Sequence, residues 1–305
     1  MLTSLQGKDA ATLDAFTGYW AGAPEASGVD VRFVPDGTAR AGALRAGEAD
    51  IVHAIPVAVA ASLDAKQVLD VPLPRTVSLH LNMAKPPFAD AGARAAARAA
   101  VDTGALVRGV FEGRADVARG IYGPASPWAS PRATGRQAAP AVPAGRKIVL
   151  ATYTDRAELP EAATVIAEAL RGKGFVVEQV VREYSLLEPD LLEGKFDAVV
   201  ATRSYLLDSG DPIAYLSSDL TCAGAYNLSR LCDPAIDTAV GQAAAVTDPG
   251  ARQTAALKIE DSVLATGALI PLAHERARIG IAPGVTGVPA DSLERHLITR
   301  TTRRP

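Results

Sequence analysis

Residues 147–203 read KIVLATYTDRAELPEAATVIAEALRGKGFVVEQVVREYSLLEPDLLEGKFDAVVATR, and this stretch decides the fold class. KIVLATY (147–153) is a short, nearly unbroken apolar run, as in a buried strand. Leu159, Ala162, Ala163, Ile166, Ala167 and Leu170 recur every three or four residues, which places them on one helical face. Gly172 and Gly174 break that helix. FVVEQVV (175–181) and KFDAVVATR (195–203) follow as strands, with a short helix over 185–193 between them. Strands alternating with helices predict an α/β fold on a largely parallel sheet covered on both faces.

Upstream, VDVRFVPDGTARAGALRAGEADIVHAIP (29–56) reads as a β-α-β unit. Val29, Val31 and Phe33 alternate with polar residues, Thr38 is placed to cap a short helix carrying Leu44, and ADIVHAI forms the second strand, closed by Pro56. TVSLHLN (76–82) alternates again as a third strand, followed by helical stretches over 93–101 and 103–112. Residues 123–146 are rich in Pro, Gly, Ser and Ala and read as a linker or long loop. Beyond the deciding stretch, two amphipathic helices cover 234–245 and 249–265, and ALIPLAH (268–274) is a final strand.

The 305-residue length suggests about two domains. Hydrophobic residues make up 48% and charged residues 21%, a globular composition. Net charge is -3, so there is no general basic face for nucleic acid. Arg300, Arg303 and Arg304 form only a short basic tail, read as a solvated end. No apolar window is long enough for a membrane span. The opening MLTSLQGKDAATLDAFTGYW has neither the basic nor the apolar region of an export signal, so the expected location is the cytoplasm. Cys222 and Cys232 make no metal framework, and their spacing allows a small-loop disulfide only in an oxidising compartment. In the cytoplasm both are expected as thiols.

No GxSxG, HExxH, GxGxxG or Walker A motif occurs, and no cofactor is expected. The four histidines are scattered without metal-ligand spacing, so no metal site is expected. Asp50 and His53 lie three apart at a strand end before Pro56, where α/β proteins place ligands, and are candidates for acid–base work. RSYLLDSGDPIAYL (203–216) gathers Tyr205, Asp208, Asp211 and Tyr215 at the end of another strand. An aspartate beside aromatic rings suits an ammonium group through a charge-assisted hydrogen bond and a cation–π contact.

GYWAGAP (18–24), residues 29–56, LHLNMAKPPFAD (79–90), AAVDTGALVRGVFEG (99–113), CAGAYNLSRLCDPAIDTAV (222–240) and ALIPLAHE (268–275) together carry a resemblance. In order and spacing the chain resembles the family 5 extracellular solute-binding proteins of ABC importers. The resemblance implies a two-lobed α/β clamp that closes on its ligand. It also implies that Asp208, shortly before Gly210-Asp211-Pro212, anchors a ligand ammonium with Tyr205 in the aromatic place ahead of it. The two cysteines match a pair bridged in some members. The export signal, the first strands of the hinge lobe and the small extra domain of peptide binders have no counterpart here.

These readings predict one incomplete lobe (1–75 plus 266–305) and a second lobe (76–265). A lobe without its first strands would expose a sheet edge and apolar faces, so a second polypeptide supplying the missing part is expected. The expected function is binding of an amino-acid-like or peptide-like small molecule, as one half of a split complex. The alternative is a cytoplasmic enzyme on the same scaffold in amino-acid-derived natural-product biosynthesis, for instance intramolecular ring closure such as aziridine formation. A non-catalytic carrier of a pathway intermediate is the third reading.

Overall fold

A computed structural model describes residues 1–129, 138–141, 145–206 and 209–304. The strands are β1 (Leu2–Gln6), β2 (Ala10–Asp14), β3 (Gly28–Arg32), β4 (Ile51–Val52), β5 (Val68–Leu81), β6 (Asp116–Val117), β7 (Lys147–Tyr153), β8 (Val176–Arg182), β9 (Ala198–Ser204) and β10 (Leu269–Ile281). The helices are α1 (Gly37–Arg45), α2 (Val57–Ala60), α3 (Ala91–Ala100), α4 (Thr103–Gly109), α5 (Glu158–Arg171), α6 (Tyr184–Leu192), α7 (Pro212–Leu220), α8 (Pro234–Ala244) and α9 (Pro249–Thr266). The chain divides into two compact units, Met1–Pro72 with Arg276–Pro305, and Leu73–Glu275. It passes from one to the other inside β5 and inside β10. The stretch 266–275, expected with the incomplete lobe, falls in the second unit, and the rest of β10 falls in the first.

In the second unit the strand order is β10, β5, β9, β7, β8, with β6 against the other side of β10. β7 runs parallel to both β8 and β9. β5 is antiparallel to β9, from Arg75 opposite Ser204 to Leu81 opposite Ala198. The sheet is therefore mixed, which corrects the largely parallel expectation. The six residues assigned to one face of α5 are the six that it buries. They join Ile148, Leu150, Leu79 and Leu81 in the main core. In a separate cluster, α7, α8 and α9 bury Ile213, Leu216, Ile236, Ile259 and Val263. Aspartates cap these helices: Asp211, Asp233 and Asp248 each accept a first-turn backbone N–H. In each case a proline follows at the first helical position, where its missing N–H costs nothing.

In the first unit β1, β2 and β3 form an antiparallel three-stranded sheet. β4 pairs instead with the far end of β10, Val52 opposite Gly280. The β-α-β reading of 29–56 is thus corrected: its two strands lie in different sheets. Asp36, not Thr38, caps α1 by accepting from Ala39 N at 2.6 Å. The core here is small, built on Ala41, Leu44, Val52, Ile55, Ala60 and Leu63. Gly280 is required there, because a Cβ would stand 2.5–2.7 Å from Leu44, Ile55 and Val52.

Candidate functional site

The parallel strands β7, β8 and β9 bring their carboxyl ends to one edge of the second unit. Chains in such sheets leave a crevice at that edge, bordered by the residues that follow each strand. Tyr153 ends β7 and crosses to β9, where its hydroxyl accepts from Thr202 N at 3.1 Å. Tyr184, two residues past β8, sets its ring edge-on to Tyr153 with centroids 5.2 Å apart. Burial, and then its bond to Glu188, pushes the Tyr184 phenol above its ordinary pKa, so it stays a donor. It donates to Glu188 Oε1 and shares a second short contact with the Tyr226 hydroxyl.

Arg203, near the end of β9, joins this group through Tyr226. Its guanidinium makes a fork to Asp219, 2.6 Å from Nε and 3.0 Å from Nη2, and lies 3.8 Å from the Tyr226 ring centroid. Asp219 is buried on α7, and burial lifts its carboxyl above the usual range despite Arg203 beside it. Tyr226 is held by the loop between the cysteines. Cys222 and Cys232 are joined in a disulfide with Cα atoms 4.3 Å apart, in contrast to the expected thiols. Within that loop the Asn227 amide donates to the carbonyls of Thr221 and Leu231 at 2.8 and 2.7 Å. The result is a half-buried surface of two tyrosine rings, a carboxylate and a stacked guanidinium. Its chemistry suits an ammonium group against Glu188 and the ring faces.

The residues singled out from sequence fall in both units. Tyr205 is fully buried, with its hydroxyl accepting from Gly123 N at 3.0 Å and its ring edge-on to Tyr122. Asp211 caps α7 and pairs with Arg252, which holds its carboxyl below the ordinary value. Tyr215 is buried in the helical core. Asp208 lies outside the described residues, as does part of the 123–146 linker. In the first unit, Asp50 pairs with Arg304 at 3.0 Å. His53 follows β4, and its carbonyl accepts from Arg40 Nε at 2.8 Å. Its Nε2 is buried without a hydrogen-bond partner among the described residues. Burial lowers its pKa, opposed by the charge of Glu294 and assisted by that of Arg40. The carboxylate that bears on His53 is therefore Glu294.

Sequence reasoning missed Tyr184, Glu188, Arg203 and Tyr226. The rule that ligands sit beyond strand ends would have found Tyr184, whereas Arg203 lies just inside the end of β9. Nothing in spacing points to Tyr226, which the disulfide loop brings back to β9. Among the described residues no group of three His, Cys, Asp or Glu is placed to hold a metal ion. Among them too, no helix is long and apolar enough to cross a membrane.

A mixed α/β chain in two units joined by two strands is the fold of solved solute-binding proteins. The chain aligns along its full length with NikA from Brucella suis in complex with Fe(III)-EDTA, at TM-score 0.83 and 21% identity, covering 67% of that chain. It also aligns along its full length with a dipeptide binding protein from Pseudoalteromonas sp. SM9913 in complex with Met-Leu, at TM-score 0.78 and 18% identity, covering 64% of that chain. The family model for bacterial extracellular solute-binding proteins, family 5 Middle, matches residues 1–227, and the chain belongs to that family. A curated relative, "Probable di/tripeptide-binding protein 5" of Pseudomonas aeruginosa (strain UCBPP-PA14), is 27% identical over 283 residues. That match takes in 85% of this chain and 52% of the relative, so the chain spans about half the relative's length.

Proposed function

We propose that this chain binds an amino-acid-like or short-peptide solute and works as one half of a two-chain protein. The cluster of Tyr184, Glu188, Tyr226 and Arg203 beyond the parallel strand ends carries the ligand reading. The names of the Pseudomonas and Pseudoalteromonas relatives support a peptide-like ligand. Asp208 is proposed as a second ammonium anchor, from its place before Gly210-Asp211-Pro212. Tyr205 and Asp211, on either side of it in sequence, are held by Gly123 and by Arg252 respectively. The need for a second polypeptide is supported by the weakly covered first unit. The test is calorimetry with free amino acids, dipeptides and tripeptides, repeated with Glu188→Gln. Loss of a charged hydrogen bond of about 1.5–3 kcal/mol weakens the best ligand by roughly ten- to a hundredfold. No heat with any of these probes, or equal affinity in the variant, overturns the reading.

An enzymatic use of the scaffold has one observation in its favour. Burial lowers the pKa of His53, and its Nε2, the atom that would take a proton, has no hydrogen-bond partner among the described residues. In a ring closure its Nε2 would take the proton of the attacking amine while the leaving group departs with its bonding pair. Turnover of an amine bearing a leaving group on the neighbouring carbon, abolished in His53→Ala with binding retained, is the outcome expected of that reading. Equal turnover in the variant removes it.

A further inference from the structure

Asp219 does not use up the Arg203 guanidinium. A guanidinium carries five N–H donors in one plane. Asp219 accepts from Nε at 2.6 Å and from Nη2 at 3.0 Å, which together form the side-on edge. The end-on edge, made by Nη1 and the second N–H of Nη2, has no acceptor among the described residues. The Asp219 side chain is 1% exposed and the Arg203 side chain 20%. The inner edge is thus sealed, while Nη1 is reached by solvent.

The guanidinium is also held in place. It lies over the Tyr226 ring, 3.8 Å from the centroid. Tyr226 in turn donates its backbone N–H to the Ser218 carbonyl at 3.0 Å, one residue before Asp219 on α7. The disulfide closes the loop that carries the ring. A buried ion pair contributes little net stability, because desolvation offsets the attraction. Fixed on one edge and one face, with the other edge open, this guanidinium is instead a preorganised fork. Such a fork matches the two oxygens of a carboxylate, and little side-chain freedom is lost when it binds. Asp219 offsets part of the charge, so recognition rests on the paired N–H donors as much as on Coulomb attraction.

The same surface holds an acceptor for the opposite charge. Glu188 accepts from the Tyr184 hydroxyl at 2.5 Å, and that hydroxyl meets the Tyr226 hydroxyl at 2.5 Å. The two phenols therefore stand between the Glu188 carboxylate and the Arg203 guanidinium. We infer that the open edge of Arg203 receives a carboxylate of the solute while Glu188 receives its ammonium, so that Arg203 sets a specificity for solutes with a free carboxylate. This rests on the ligand reading above and names the second charge that the ligand must carry. A carboxamide offers the fork one neutral oxygen in place of two that share a charge, and it is rejected.

Calorimetry compares leucine with leucinamide, and the dipeptide Met-Leu with Met-Leu amide and N-acetyl-Met-Leu. Each amide binds about ten- to a hundredfold more weakly than its free acid, as loss of a charge-assisted hydrogen bond requires. N-Acetylation weakens binding to a similar degree through Glu188. The series is repeated in Arg203→Gln combined with Asp219→Asn, which removes both charges and leaves no lone carboxylate buried. There the acid and its amide bind within about twofold of each other, while the loss on N-acetylation persists. A variant that merely loosened Tyr226 would weaken acid and amide alike and keep their ratio. The comparison of acid with amide in the unaltered protein holds even if the variant folds poorly. Equal binding of acid and amide by the unaltered protein, or a ratio unchanged in the double variant, overturns the role of Arg203 and leaves the ammonium site intact. No heat with any of these compounds overturns both.

Discussion

Lowering the pH from 7.5 to 5.0 is expected to remove about 4 kcal/mol of stability from the second unit, through two buried histidines. His80 on β5 is 3% exposed, and burial, with Arg203 nearby, lowers its pKa to about 3. His274 on β10 is 5% exposed, and burial lowers its pKa to about 4. The Thr76 hydroxyl spends its proton on the Ile121 carbonyl at 2.7 Å, so it accepts from His274 Nδ1 at 2.8 Å. His274 is therefore the neutral Nδ1–H tautomer, wedged against Gly123. A histidine whose folded pKa is depressed contributes stability above its unfolded pKa of about 6.5 and loses it as pH falls below that value. At pH 5.0 both remain neutral in the fold while the unfolded chain takes up their protons. The loss is then about 1.4 kcal/mol for each of the 1.5 units below 6.5, or about 2 kcal/mol per histidine. Because pH 5.0 lies above both folded values, that figure depends on the unfolded pKa alone. Carboxylates held low by partners, such as Asp211 with Arg252, give up their contribution at lower pH still. Urea unfolding at half-unit steps from pH 7.5 to 5.0 reads the slope, and His274→Gln should halve it. Stability that is flat across this window, or a slope unchanged in His274→Gln, refutes the argument.

Gly123→Ala places a Cβ 2.5–2.7 Å from the His274 ring, which Thr76 holds in place, and should cost about 1–3 kcal/mol in thermal or urea unfolding. Loss below about 0.5 kcal/mol would mean that the ring can move aside. Reducing the Cys222–Cys232 bridge frees a small loop and should cost about 2–3 kcal/mol, and should lower solute affinity by releasing Tyr226 from Arg203. Thiol trapping in intact cells tests the cytoplasmic proposal as well: a cytosolic chain keeps both thiols reduced, and a quantitative bridge points to an oxidising compartment.

Local pattern was enough for much of the second unit. KIVLATY is β7 residue for residue, and the apolar face of α5 is the one written into its three- and four-residue spacing. Periodicity works there because a strand or helix packed on one core must repeat at its own geometric period. Strand direction and partner are another matter. Whether 29–33 and 51–52 share a sheet depends on which strands reach them through space, and β4 found β10, more than two hundred residues away. The same holds for the candidate site. Asp50, His53, Tyr205 and Asp211 were legible as residue types at strand ends, yet their partners were not. Asp50 meets Arg304, Asp211 meets Arg252, and Tyr205 turns inward to Gly123. The sequence alone determined the family, the helical faces and the two cysteines. Tertiary structure decided which carboxylate meets which cation and which tyrosine stays at the surface. Those outcomes depend on contacts between residues far apart in the chain, and no spacing along it encodes them.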